Sequence, residues 1–252
     1  MPLEFARRLT GRRRTAQADR QLGFGLAFVA GAINAGGFLA VQQYTSHMTG
    51  IVSAMADNVA LGAYDLVWVG AGALFSFMAG AVCSTVMVDA ARQRQLNSEY
   101  AFPLLLEAVL LLVFGVLGSW LAEVPGLFVP VTVMLLCFIM GLQNAVITKL
   151  SGAVIRTTHI TGLVTDIGIE LGRLLVRHAQ FNKTHLGTLT WLALLFFVGG
   201  VVGALGFNQA GYVSTIPLAL VLVSLAGVPA VDDLLILFRG WRARLRVRWK
   251  GK

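Results

Sequence analysis

Residues 22–41 read LGFGLAFVAGAINAGGFLAV, twenty positions without one charged side chain. At about 1.5 Å of rise per residue, a helix of that length covers about 30 Å, the thickness of a bilayer's hydrocarbon core. The run follows a basic stretch that holds Arg7, Arg8, Arg12, Arg13, Arg14 and Arg20, an order also found in secretory signals. It is longer than a signal core, so it reads as an uncleaved first span.

Outward from this run, the chain yields six segments of spanning length: Leu22–Tyr44, Tyr64–Val88, Phe102–Leu121, Leu127–Thr148, Thr188–Phe207 and Tyr212–Leu235. Two further stretches, Thr49–Leu61 and Thr161–Val176, read as helices that are too short or too polar to cross. Composition agrees with a membrane protein. Hydrophobic residues make up 57% and charged residues 13%, with a mean hydropathy of +0.76. A soluble domain carries about a quarter charged residues.

The net charge of +8 is concentrated at the two ends, with Arg239, Arg242, Arg244, Arg246, Arg248, Lys250 and Lys252 closing the chain. Basic residues that flank apolar spans hold helix ends against anionic lipid headgroups; they do not decorate a polar fold that could grip nucleic acid, so no nucleic-acid partner is expected. With the N-terminus in the cytoplasm, segment 45–63 and loops 122–126 and 208–211 lie outside and carry no Lys or Arg. Loop 89–101, with Arg92 and Arg94, and segment 149–187, with Lys149, Arg156, Arg173, Arg177 and Lys183, lie inside. Every loop then obeys the positive-inside rule, and both termini are cytoplasmic. The expected organisation is a basic arm over 1–21, a membrane domain over 22–238 and a basic tail over 239–252.

The membrane domain repeats itself. Thr45-Ser46-His47-Met48-Thr49-Gly50 returns as Thr157-Thr158-His159-Ile160-Thr161-Gly162. Each copy follows a Gly-x-x-Asn-Ala in the preceding span: Gly31, Asn34 and Ala35, then Gly141, Asn144 and Ala145. Ser53 and Thr165 follow one turn on, Phe77 and Gly80 match Phe197 and Gly200, and Phe102-Pro103 matches Ile216-Pro217. Repeat one covers 22–121 and repeat two 127–238. Three spans is an odd number, so the second unit enters the membrane from the opposite side. The fold class is an all-α membrane bundle of two inverted-topology three-helix repeats, each with a short helix after its first span.

The repeated motif has two readings. The threonines can cap the short helix, with Gly50 and Gly162 easing a turn, which makes it purely structural. Alternatively, both short helices dip into the membrane and bring their N-termini together, an arrangement suited to a small anionic solute. His47, Thr49, Gly50, His159, Thr161 and Gly162 then form the site, supported by Asn34 and Asn144, and the histidines can couple binding to protons. Glu107, one turn after Pro103, is either a functional intramembrane carboxylate or a residue that snorkels to the interface. Asp166 and Glu170 share a helix face with Arg173 and Arg177, the pattern of an amphipathic helix at the cytoplasmic side with internal ion pairs. All three carboxylates are candidates for coupling or for the solute path. Asp57 has Ile169 at the matching position, so the repeat lends it no support.

No cofactor or metal is expected, because Cys83 and Cys137 are isolated in apolar runs and the four histidines show no ligand spacing. An enzyme is not expected either, with no G-x-S-x-G, H-E-x-x-H or phosphate loop. Gly168-x-x-x-Gly172 and Gly199-x-x-x-Gly203 point to close helix packing, and self-association through them stays open. The Met-Thr-Gly after the first span, Gly-Leu-Gln-Asn-Ala at Gly141–Ala145 and Arg-Thr-Thr-His-Ile-Thr-Gly at Arg156–Gly162 resemble the YoaK-like family of bacterial inner-membrane proteins, classed as a domain of unknown function. The likeness runs from Leu22 to Leu237 and implies six spans and a bacterial plasma membrane, without naming a substrate. The family often has Asn directly after the first Thr-Gly, where this chain has Ile51, which implies an altered first-half site if that Asn binds something. A small secondary transporter or channel is the leading functional expectation. A non-transporting protein that binds lipid or a partner protein is the other.

Overall fold

The computed structural model describes residues 15–121, 125–151, 157–176 and 181–250, and every regular element among them is helical. The arginines before residue 15, and Glu123, Arg156, Arg177 and Lys252, lie outside the described residues. In chain order the helices are α1 Ala16–Val41, α2 Met48–Ala60, α3 Tyr64–Gln93, α4 Ala101–Leu121, α5 Pro125–Ser151, α6 Ile160–Leu175, α7 Lys183–Ala210 and, after the 3-10 turn Gly211–Ser214, α8 Thr215–Lys250.

Hydropathy places the start of the first span at Leu22, but α1 begins six residues earlier. Thr15 caps it, its hydroxyl accepting from the Ala18 N–H at 3.2 Å, and Asp19 in the first turn suits the positive end of the helix. At the other end Gln42 turns into the left-handed region (φ 55°) and donates its N–H to the Phe38 carbonyl. The last helix also outruns its apolar segment, continuing to Lys250 without a break at Leu235.

Five continuous stretches are long and apolar enough to cross a membrane: Ala16–Val41, Tyr64–Gln93, Ala101–Gly118, Pro130–Ser151 and Lys183–Leu235. The fifth runs for 53 residues and contains the turn at Gly211–Ser214. Large apolar side chains stand bare on the outer faces, among them Phe75, Val82 and Val86 on α3, Phe197 and Leu205 on α7, and Leu220 on α8. Such a continuous apolar surface needs lipid as its solvent.

Packing follows a simple plan. α1 pairs with α7 and α3 with α5, while α1 and α5 touch in the middle and α4 pairs with α8 beside them. The core forms where these helices meet, from Leu22 and Leu26 on α1, Leu136, Ile139 and Met140 on α5, Leu104 and Leu111 on α4, and Leu222 on α8. Glycine makes the two main crossings. A Cβ at Gly31 would fall on the Phe196 carbonyl, and one at Gly199 on the Phe28 carbonyl. Likewise a Cβ at Gly141 would fall on the Phe77 carbonyl, and one at Gly80 on the Phe138 carbonyl.

These contacts correct one sequence match. The places of Phe77 and Gly80 are taken in the second half by Phe196 and Gly199, one residue before Phe197 and Gly200. The doublets Phe196-Phe197 and Gly199-Gly200 fit either register by spacing, and only packing selects one. Phe197 points outward and is 67% exposed. Gly199 and Gly203 are thus used within the chain, against Phe28 and Ala32, whereas Gly168 and Gly172 meet nothing within 4 Å.

Candidate functional site

The short helices run back along their neighbours. Ile51 and Met55 of α2 pack on Gly70 near the start of α3, while His47 and Met48 at the beginning of α2 border the same cavity as Phe77. Phe77 lies thirteen residues after Tyr64, roughly 20 Å along α3. α6 does the same beside α7: Glu170 reaches the Asn182 N–H at the start of α7, and Ile160 borders that cavity together with Phe196.

Both N-termini therefore open on one cavity of about 540 Å³. Its wall is built in pairs: His47 with His159, Thr49 with Thr161, Ser46 with Thr158, Met48 with Ile160, and Phe77 with Phe196. Asn34 and Tyr44 complete it. No Asp, Glu, Lys or Arg is among the described residues of this wall.

Threonine capping, one of the two readings of the motif, is not what the fold contains. The N-cap positions are His47 and His159, and neither makes a side-chain cap hydrogen bond. Thr49 and Thr161 already lie within the first turn and are exposed toward the cavity. Thr45 and Thr157 are wholly buried, their hydroxyls without a hydrogen-bond partner among the described residues. The leading N–H groups of both helices thus receive no side-chain cap, the condition under which a helix start attracts an anion.

The two asparagines hold the linkers that carry the histidines. Asn34 Oδ1 accepts from the Ser46 hydroxyl at 2.8 Å and the Ser46 N–H at 3.3 Å. Asn144 Oδ1 accepts from the Thr158 hydroxyl at 2.6 Å, and its Nδ2 donates to the Met140 carbonyl at 2.8 Å. Asn34 borders the cavity; Asn144 is buried behind it. Ser46 and Thr158 were visible in the repeated motif, but nothing in the sequence said that the position before each His is the tether. The glycines part ways as well. The His47 ring lies over Gly50, where a Cβ would clash with it, whereas at Gly162 the nearest neighbour is the His159 Cβ at 4.0 Å. Gly50 borders a different cavity, and Gly162 serves the helix backbone.

None of the three carboxylates borders the central cavity. Glu107 is fully buried on α4, with both oxygens lacking partners among the described residues, so it does not snorkel. Glu170 is buried too, and it accepts from Arg173 and from the Asn182 N–H, which anchors the start of α7. Asp166 is exposed, and so is Asp57. Ile51, where a family Asn would stand, is buried against Gly70.

Three buried polar residues have roles that hydropathy hides. Asp233 on α8 accepts from the Asn97 and Ser98 N–H groups at 2.7 and 2.8 Å, fixing the turn before α4. Glu99 in that turn pairs with Arg92 at 2.8 Å, and Gln143 donates across to the Leu26 carbonyl at 3.1 Å. Between α3 and α5, Lys149 bonds Asp89 at 2.6 Å.

A family model described as "Protein of unknown function (DUF1275)" matches residues 22–228. The chain belongs to this family. The chain is also similar to the UPF0700 transmembrane protein YoaK of Bacillus subtilis (strain 168). The two are 30% identical over 183 residues, covering 71% of this chain and 80% of the relative. No solved structure matches. With that relative and the bare apolar helices, this DUF1275 chain is a multi-pass transmembrane protein whose surroundings are the lipid bilayer.

Proposed function

We propose that the protein is a small secondary transporter or channel of the bacterial plasma membrane. It passes a small, anionic solute through the cavity between the two short helices. The carrying observation is that both helix starts, uncapped by side chains, open on one cavity whose described wall has two histidines and three threonines but no charged side chain. An anion there meets N–H dipoles from two sides without a competing carboxylate.

The reading counts six spans in two inverted three-helix units. Support comes from the fifth apolar stretch, which at 53 residues would measure about 80 Å and is broken at Gly211–Ser214, so it serves as two spans. Exchanging α1 with α5, α2 with α6 and α3 with α7 maps the α1–α7 pair onto α5–α3 and the α2–α3 pair onto α6–α7, and the glycine crossings correspond residue for residue. On this reading α2 and α6 are re-entrant, which is tolerable where their polar starts line a water-filled cavity. Both basic termini rest on anionic cytoplasmic headgroups.

A lipid-binding protein without transport is the second reading. An almost wholly apolar cavity of about 400 Å³ between α1, α4, α7 and α8 favours it, with Val202, Val213 and Ile216 exposed at its mouth. The test is charge movement and tracer uptake in proteoliposomes over a panel of small anions, cations and pH jumps, with the His47→Ala, His159→Ala double variant alongside. Solute-dependent flux that the variant loses supports transport through this site. No current and no uptake for any solute would leave the lipid-binding reading in its place.

A further inference from the structure

We infer that solute reaches the central cavity through a second cavity beside α2, and that the side chains of Tyr44 and His47 are the gate between the two. The inference rests on reading the central cavity as the solute site.

The second cavity, of about 410 Å³, lies between the end of α1, α2 and the start of α3. Gln42, Gln43 and Asn58 give its wall amide groups that can replace part of a solute's hydration, and Ala54 on that wall is exposed. Two residues, Tyr44 and His47, border this cavity and the central one alike. Two side chains are therefore all that the described walls have in common.

The backbone beneath them is fixed at both ends. Gln42 is held by its N–H bond to the Phe38 carbonyl at 2.7 Å, and Ser46 by its two bonds to Asn34. The side chains are not fixed in this way. The Tyr44 ring stacks on Phe38, with centroids 4.4 Å apart and planes 18° from parallel, and the His47 ring rests on Gly50. Neither side chain makes a hydrogen bond among the described residues; each is held there by ring contact, and rotation about its side-chain bonds moves it without disturbing the linker. Exposed rotamers of this kind exchange within nanoseconds, so opening needs no helix movement. Glycine at position 50 is what allows the imidazole to lie flat across the passage.

The test uses the full-length protein in spheroplasts, with Cys83→Ser and Cys137→Ser removing the native thiols. A membrane-impermeant methanethiosulfonate reagent is applied from outside to Ala54→Cys, on the second cavity, and to Thr161→Cys, on the far wall of the central one. Ala54→Cys is expected to react readily and Thr161→Cys roughly tenfold more slowly. Adding Tyr44→Ala should bring Thr161→Cys up to the Ala54→Cys rate, and Gly50→Ala, which displaces the His47 ring, should raise it as well. Tyr44→Phe should leave it slow. Gel filtration of each variant checks that it is folded.

Equal rates at both cysteines with Tyr44 intact would mean that no gate exists. A Thr161→Cys rate that stays low in both opening variants, or an unreactive Ala54→Cys, would mean that the passage is elsewhere. Labelling needs no solute, so these outcomes are separate from failure of the transport reading, which proteoliposome uptake decides.

Discussion

The motif at His47 and its copy at His159 share a backbone and differ in how their side chains are held. Each histidine sits at the N-cap of a short helix, and each follows a hydroxyl residue bonded to an asparagine 12 or 14 residues earlier in the chain. Around the first copy, Asn34 borders the cavity, and the imidazole lies on Gly50. Around the second, Asn144 is buried and bonds two partners, and Gly162 is clear of the ring. Repetition therefore sets where the chain goes, while local neighbours set what each side chain is free to do.

The severest way to break the comparison is at the crossings, where the halves should behave alike. Gly31→Val and Gly141→Val each drive a side chain into a backbone carbonyl of the facing helix, and each should lose about 3 kcal/mol or more of stability. Gly168→Val, in open space, should stay close to wild type. Thermal unfolding followed by gel filtration in detergent reads all three. Unequal losses at Gly31 and Gly141 would mean that the crossings are not equivalent.

Asp233 comes next. Asp233→Ala strips the carboxylate from one buried and one part-buried N–H group and should cost about 2–3 kcal/mol, with faster hydrogen exchange at Asn97 and Ser98. Exchange that stays slow at both amides would show that the turn before α4 holds without the carboxylate.

The asparagines sharpen the contrast between the copies. Asn144→Ala should destabilise by about 2 kcal/mol because it empties a buried position and removes the acceptor of the Thr158 hydroxyl, and Asn34→Ala, at a wetter position, by about 1 kcal/mol. Chemical denaturation of the two variants compares them directly, and the reverse order would contradict the assignment of Asn144 as the more deeply fixed anchor.

The smallest effects belong to the glycines. Gly162→Ala should gain a few tenths of a kcal/mol from helix propensity. In Gly50→Ala that gain is offset by displacement of the imidazole. The His47 ring resonances should shift in Gly50→Ala, and those of His159 should not move in Gly162→Ala. Equal shifts would remove the asymmetry.

Much of this architecture is legible in the sequence, because apolar length and helical spacing are local properties. The short helices begin at Met48 and Ile160, each one residue before the threonine from which hydropathy and polarity start them. The repetition of Thr-x-His-x-Thr-Gly was likewise the sign that two copies of one motif stand in related places. What stayed hidden depends on contacts between distant segments. Phe77 and Phe196 as cavity walls follow from a register that the doublets Phe196-Phe197 and Gly199-Gly200 leave ambiguous. The role of Asp233 requires knowing that a helix near the end of the chain passes the turn at Asn97. Asn34 and Asn144 could be named from spacing, but their tether to the residue before each His could not. Glu107 was legible as unusual, yet spacing alone could not say whether it reaches the interface.

The central claim is that both copies of the motif face one shared space in the membrane. The most direct measurement is intramolecular cross-linking of Thr49→Cys with Thr161→Cys in native membranes, in a chain carrying Cys83→Ser and Cys137→Ser. A short bifunctional thiol reagent should join the two positions, and mass spectrometry should recover the linked peptides from a single chain. If both cysteines are modified singly and never bridged, even by longer reagents, the motifs do not share a cavity and the proposed solute site falls with it.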